Sequence, residues 1–193
     1  MRCSDLVVGM AIAALATTAA SCARPRLSSP DGLALGAPHP LLQRRAPAIT
    51  VSSGSASAPL DAKYDGKVIV VHFWATWSEA SRATLPKLEA LYAKYKDRGV
   101  EIVALSVDDD KDAIDELVAR TGVKFAVVWD ERKEIVRHWL VKGVPASFVV
   151  DRRGVVRAAF LGYEDGVEVE IETDVKLLSA EPVGRGREGI AGK

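Results

Sequence analysis

Two hydrophobic periods alternate along residues 60–180. Residues 67–73 are a nearly unbroken run of β-branched and aromatic positions, which predicts a central strand covered on both faces. After Ser78, the residues Leu85, Leu88, Leu91, Tyr92 and Tyr95 recur at helical spacing and Gly99 closes the run, predicting an amphipathic helix ended by a glycine. Residues 100–107 predict a second buried strand. Residues 110–120 predict a helix with Ile114, Leu117 and Val118 on one face and Gly122 at its end. Residues 125–129 read as a short strand and 131–140 as a third helix. A strand leading to the turn Asp151-Arg152-Arg153-Gly154, then residues 155–161, predicts a hairpin, and residues 166–178 predict a last helix. The order of strands and helices predicts an α/β domain with a mixed sheet flanked by helices.

The flanks have a different composition. Residues 6–20 form a 15-residue apolar run after Arg2, the length of a signal-peptide core and short of the roughly 20 residues that span a bilayer. It ends Ala19-Ala20-Ser21-Cys22. This is similar to a bacterial lipobox, with Ala19 in place of the usual leucine. Residues 1–21 are accordingly read as a lipoprotein-type signal peptide and Cys22 as the lipidated first residue of the mature chain. Secretion with cleavage nearby, and an uncleaved anchor or a misread start, are the alternatives. Residues 22–59 hold six of the nine prolines together with much Ser, Ala and Gly, the composition of an extended tether; Ile49-Thr50-Val51 is a stray strand candidate within it. The domain is expected over 60–180, and 181–193 is read as a flexible Gly-rich tail.

Charge narrows the function classes. Lys+Arg and Asp+Glu balance at 26 each, and no basic stripe argues for nucleic acid. His39, His72 and His138 lack metal-ligand spacing. Asp108, Asp109 and Asp110 read as an acidic helix cap, because the glycine and distal glutamate of a calcium loop are missing. No metal and no cofactor is expected, and the domain is expected to be a monomer. Cys3 and Cys22 are the only cysteines. If Cys22 is acylated and Cys3 is removed with the signal peptide, the mature chain has no free thiol.

Two stretches carry the candidate chemistry. The first is Val71-His72-Phe73-Trp74-Ala75-Thr76-Trp77-Ser78-Glu79-Ala80-Ser81, with Pro86 in the following helix; the second is Gly143-Val144-Pro145-Ala146-Ser147-Phe148. Together they resemble the TlpA/ResA-type membrane-anchored thiol-disulfide oxidoreductases of the thioredoxin-like superfamily. The resemblance covers about residues 60–180 and implies a thioredoxin fold carrying the extra strand-helix unit of those relatives. In that family the turn reads Trp-Cys-x-x-Cys, so Ser78 stands at the attacking position and Ser81 at the resolving one. Disulfide exchange needs a thiolate, whose pKa a helix N-terminus lowers from about 8.5 toward 7 or below. A serine hydroxyl forms no mixed disulfide. Ser78 is therefore read chiefly as a helix N-cap. Glu79 matches a Cys-Glu-Pro-Cys version of the turn, with Ala80 replacing the proline, and complements the helix dipole. Thr84 stands where several relatives place a proton-handling glutamate. Pro145 corresponds to the family's cis-proline, which faces the turn, and the resemblance implies a peptide groove formed by Trp77, Ser78, Glu79, Val144, Pro145 and Ala146. Trp74 and Trp77 divide between core and groove; Trp129 and Trp139 are read as core.

Three functions compete on this reading. The first is an envelope-anchored binding or assembly factor for proteins or extended peptides, without redox chemistry. The second is an enzyme-class role, either in envelope thiol-disulfide pathways or as a hydrolase with Ser78 as nucleophile and His72 as base. A peroxide-reducing role is weaker, because the domain has no cysteine. The third is a structural module without a ligand.

Overall fold

The computed structural model describes residues 27–28, 38–53, 56–59 and 64–182. The expected signal peptide, Cys22, most of the expected tail and part of the tether lie outside the described residues. In chain order the elements are β1 (Leu27–Ser28), β2 (Thr50–Ser53), β3 (Ala56–Pro59), β4 (Val68–Trp74), α1 (Glu79–Tyr95), β5 (Val100–Ser106), α2 (Lys111–Thr121), β6 (Ala126–Trp129), α3 (Glu134–His138), β7 (Ala146–Val150), β8 (Val156–Leu161) and α4 (Val167–Ala180). Five strands and the two-residue edge β1 form one sheet in the order β1-β8-β7-β4-β5-β6; β2 and β3 pair separately. β4, β5 and β6 run parallel, while β7 is antiparallel to both β4 and β8. This is a thioredoxin-like fold, and its strand-helix order from β4 onward is the one that the hydrophobic periods predict.

The central strand explains the layering. On β4, Val68, Val70, His72 and Trp74 point to one face, and Val71 and Phe73 to the other. The first face packs under α1, α2 and α4 through Leu85, Leu88, Ile114, Leu117, Ile171 and Val175. Parallel strands joined by right-handed crossovers put α1 and α2 on this same side. The second face holds Phe73, Phe148, Trp139 and Ile49, with the Trp139 and Phe148 rings 5.1 Å apart in an edge-on arrangement. Among the described residues, the short α3, Tyr64, residues 139–144 and residues 38–49 cover it.

Two expectations need correction. Residues 38–49 are not a spacer, and the domain does not begin at residue 60. Gln43 and Ala46 donate backbone hydrogen bonds to Val156 and Gly154, and Arg44 accepts one from Val156. His39 and Ile49 are buried, and the His39 ring packs edge-on against Phe148 at 5.0 Å. The stray-strand segment is part of β2, paired with β3. Composition alone points to a tether here because the pairing is carried by Gln43, Arg44 and Ala46, which stand between Pro40 and Pro47 and leave no repeat in the sequence. The expected helix over 131–140 shrinks to α3. Lys133 and Leu140 bracket it in the left-handed region, at φ 55° and 56°, and the buried Asp130 carboxylate accepts from the Ile135 and Val136 amides. The Asp130 carboxylate, from just before the predicted run, satisfies the amides of a first turn that opens only at Glu134.

Candidate functional site

β4 ends at Trp74, and four residues later α1 begins. Ser78 lies in extended conformation, φ −89° and ψ 113°, and its Oγ accepts the Ser81 amide at 3.2 Å. That is the geometry of a helix N-cap. Glu79 follows in the first turn, exposed, beside the positive end of the helix. Trp77 projects from the turn at 68% exposure. Ser81 is fully buried, and its hydroxyl has no partner among the described residues. Thr84 is also buried, and its hydroxyl returns to the Ala80 carbonyl of its own helix at 2.8 Å.

A buried carboxylate holds the turn. Thr76 donates its amide to both Asp108 oxygens at 3.0 Å and its hydroxyl to Oδ1 at 2.7 Å, while Ser106 Oγ donates to Oδ2 at 2.7 Å. From the other side, Arg82 Nη1 donates to the Thr76 carbonyl at 2.6 Å. Asp108 is 2% exposed, so these hydrogen bonds act at low dielectric and fix Thr76, and through it Trp77 and Ser78. Sequence reading placed Asp108, Asp109 and Asp110 together as a cap. Only Asp110 caps α2, accepting the Asp112 amide; Asp109 faces Lys133 at the surface. The run of three acids contained no signal for which one turned inward.

The second stretch meets the first through strand pairing. Phe73 is opposite Ala146 across β4 and β7, which brings the Val144-Pro145 loop beside the end of β4 where the turn starts. The Val144–Pro145 peptide bond is cis. Pro145 gives its carbonyl to the Gly162 amide at 2.8 Å, whereas no hydrogen bond among the described residues engages the Val144 amide or carbonyl. Val144 is half-buried, and Pro145 is buried. Ala146, expected in the groove, is 1% exposed and belongs to the core. The expected groove residues that reach the surface are thus Trp77, Ser78, Glu79 and Val144.

His72 makes no hydrogen bond to Ser78. The ring is fully buried under α1, and its Nδ1 lies 2.8 Å from Ser147 Oγ. Burial pushes its pKa down to about 3, so the ring is neutral at physiological pH. Ser78 Oγ is engaged by the Ser81 amide and His72 Nδ1 by Ser147, an arrangement that disfavours the hydrolase pairing.

The sheet, the capped turn at a helix N-terminus and the adjoining cis-proline loop define a thioredoxin-like protein. A model of the AhpC/TSA family matches residues 42–159, and the chain belongs to that family. The match begins inside the segment whose composition suggested a tether. Among curated proteins, the chain is 34% identical over 105 residues to the thiol-disulfide oxidoreductase ResA of Bacillus thuringiensis (strain Al Hakam), covering 54% of this chain and 61% of that relative. It is 30% identical over 107 residues to ResA of Geobacillus kaustophilus (strain HTA426), covering 55% and 62%. The chain therefore spans about three-fifths of the length of the curated relatives it matches. Among solved structures, a Chlorobium tepidum protein described as the thiol:disulfide interchange protein DsbE superposes with a TM-score of 0.65 at 26% identity, over 70% of this chain and 96% of that one. StoA from Bacillus subtilis superposes at 0.54 with 15% identity, over 66% and 97% of the two chains, which speaks to the fold alone.

Proposed function

We propose that this chain is an envelope-anchored, thioredoxin-like binding or assembly factor that performs no thiol-disulfide exchange of its own and takes extended peptide at the Trp77 turn. The observation that carries it is the pairing of an exposed Trp77 with the unengaged Val144 amide and carbonyl beside a turn whose Ser78 hydroxyl is a cap. A free backbone donor and acceptor next to a large aromatic surface suit main-chain pairing with an extended segment, with affinity from the backbone and little sequence preference. The missing chemistry is elemental: residues 23–193 contain no cysteine, and a hydroxyl cannot replace the thiolate. Anchoring rests on Ala19-Ala20-Ser21-Cys22, while the matched relatives are named thiol-disulfide oxidoreductases. Those same names favour a second reading, assistance to a redox partner in an envelope thiol pathway.

Three measurements separate these. Adding unfolded client peptide should shift the amides of residues 77–81 and Val144; no shift at millimolar peptide leaves only a structural module. Wild type should reduce no disulfide, whereas Ser78→Cys with Ser81→Cys should oxidise to an intramolecular bridge and keep the fold. Reductase activity in the wild type would falsify the non-redox reading. Mass spectrometry of the membrane fraction should find an acylated Cys22 at the N-terminus, and a soluble mature protein starting elsewhere removes the anchor.

A further inference from the structure

The thinly covered face leaves a recess near the end of the sheet opposite the turn. It measures about 530 Å³ counting its open mouth, and Ile49, Ile69, Val71, Val150 and Trp139 contribute its apolar wall. Its charged residues are Arg45, Lys67, Arg152 and Arg153 against Asp65 and Asp151. Lys67 is neutralised by Glu101 at 2.7 Å, and Asp151 by Arg157 at 3.0 Å. The Arg152 Nη atoms donate only to the carbonyls of Gly66, Arg98 and Ser179. Three arginines therefore remain against one acid, Asp65. Two N–H groups in the same wall are also unsatisfied: the indole Nε1 of Trp139, which is 1% exposed, and Nε of Arg152. A buried donor without an acceptor is costly, and both orphans here are donors. The recess leaves two buried donors unpaired, carries surplus positive charge and has an apolar wall.

We propose that this recess binds a small monocarboxylate with a short apolar body. The carboxylate oxygens accept from the arginine forks, for which planar bidentate geometry is suited, and the hydrocarbon body displaces water from Ile69, Val71 and Trp139. A concave apolar site with a few convergent polar groups is the usual form of a small-molecule pocket. Val71, the β4 wall residue nearest the turn, lies three residues before Trp74, roughly 10 Å of strand, so the recess and the groove are separate sites.

The test is a fluorine NMR titration of the full chain labelled with 5-fluorotryptophan, with the Trp139 resonance assigned by Trp139→Phe. Hexanoate should shift that resonance saturably. Acetate and inorganic phosphate, which have charge without the body, and 1-hexanol, which has the body without charge, should produce no saturable shift at a tenfold higher concentration. Arg45→Gln with Arg153→Gln, both at exposed positions, should weaken hexanoate at least tenfold while leaving the melting temperature unchanged. No saturable response to hexanoate, an equal response to hexanol, unaltered affinity in the double variant, or a response centred on Trp77 each overturns the proposal.

Discussion

The face of the sheet under α1, α2 and α4 and the face under α3 and residues 38–49 bury comparable strands by unequal means. On the first, helices of 17, 11 and 14 residues present apolar stripes at regular spacing, so each buried residue is held by its own helix as well as by its neighbours. On the second, a helix of 5 residues shares the work with a proline-punctuated segment held by a few backbone bonds to β8 and its turn. The candidate site joins the two halves: Ser78 opens α1 on the first side, and the loop bearing Val144 and Pro145 follows Trp139 on the second. A turn pinned by a long helix and by Asp108 thus faces a loop with lighter support. For the proposed peptide binding, that combination is favourable, because one wall is preorganised and the other is more lightly held.

Core truncations test the difference most strongly. Leu85 and Ile49 are 0% and 5% exposed, one on each face. Leu85→Ala should cost about 4 kcal/mol, near the upper end for buried aliphatics, because three helices limit collapse around the void. Ile49→Ala should cost about 2 kcal/mol, since residues 38–49 can settle into the space. Urea unfolding of both variants gives the comparison directly. Equal costs mean that the second face is as rigid as the first, and the asymmetry is wrong.

The buried histidines sharpen the same contrast through pH. Burial lowers the pKa of His72, on the helix side, to about 3, and burial lowers that of His39, on the thin side, in the same direction. An unfolded histidine binds its proton below about 6.5. Between that value and the lower folded pKa the unfolded state holds more protons, so stability is complete above about pH 6.5 and declines as the pH falls. For His72 the decline is about 1.4 kcal/mol per pH unit, continuing down to about pH 3. Unfolding titrations at pH 7, 6, 5 and 4 should therefore show a steeper fall for wild type than for His72→Gln. His39→Gln should remove a smaller slope, lost earlier as the light cover opens to admit water. A His72→Gln slope matching that of wild type would show that carboxylates alone account for the acid sensitivity.

The two faces also differ in how far the chain announced them. β4, β5 and α2 lie within a residue or two of their expected limits and α1 starts where expected, passing into a 3-10 turn over Lys96–Arg98 before Gly99, because one-sided burial imposes the period. The turn was legible too, since Ser78 before a helical pattern is an N-cap signal independent of any family. Residues 38–49 were not legible. Their contribution comes from single buried residues such as His39 and Ile49 and from backbone pairing, neither of which leaves a repeat. Asp108 was hidden among like neighbours, and Ala146 was assigned to the groove because its position in the motif says nothing of its depth. Long-range pairing decides all three, and a local pattern carries no record of it.

The smallest expected effect concerns the two serines, which the fold treats oppositely. Ser78 Oγ satisfies a helix amide that would otherwise be unpaired, and Ser78→Ala should cost about 1 kcal/mol. Asp110→Ala, which removes the matching cap of α2, serves as the yardstick and should cost a similar amount. Ser81 is as buried as the core, but its hydroxyl satisfies nothing among the described residues. Removing an unpaired buried hydroxyl relieves its desolvation while opening a void smaller than a methyl group, so Ser81→Ala should leave stability unchanged or raise it by up to about 1 kcal/mol. Thermal unfolding of the three variants in one buffer decides the matter. A loss above 1 kcal/mol for Ser81→Ala would mean that its hydroxyl has found a partner beneath the turn, and the buried side of the turn would then be a polar site in its own right.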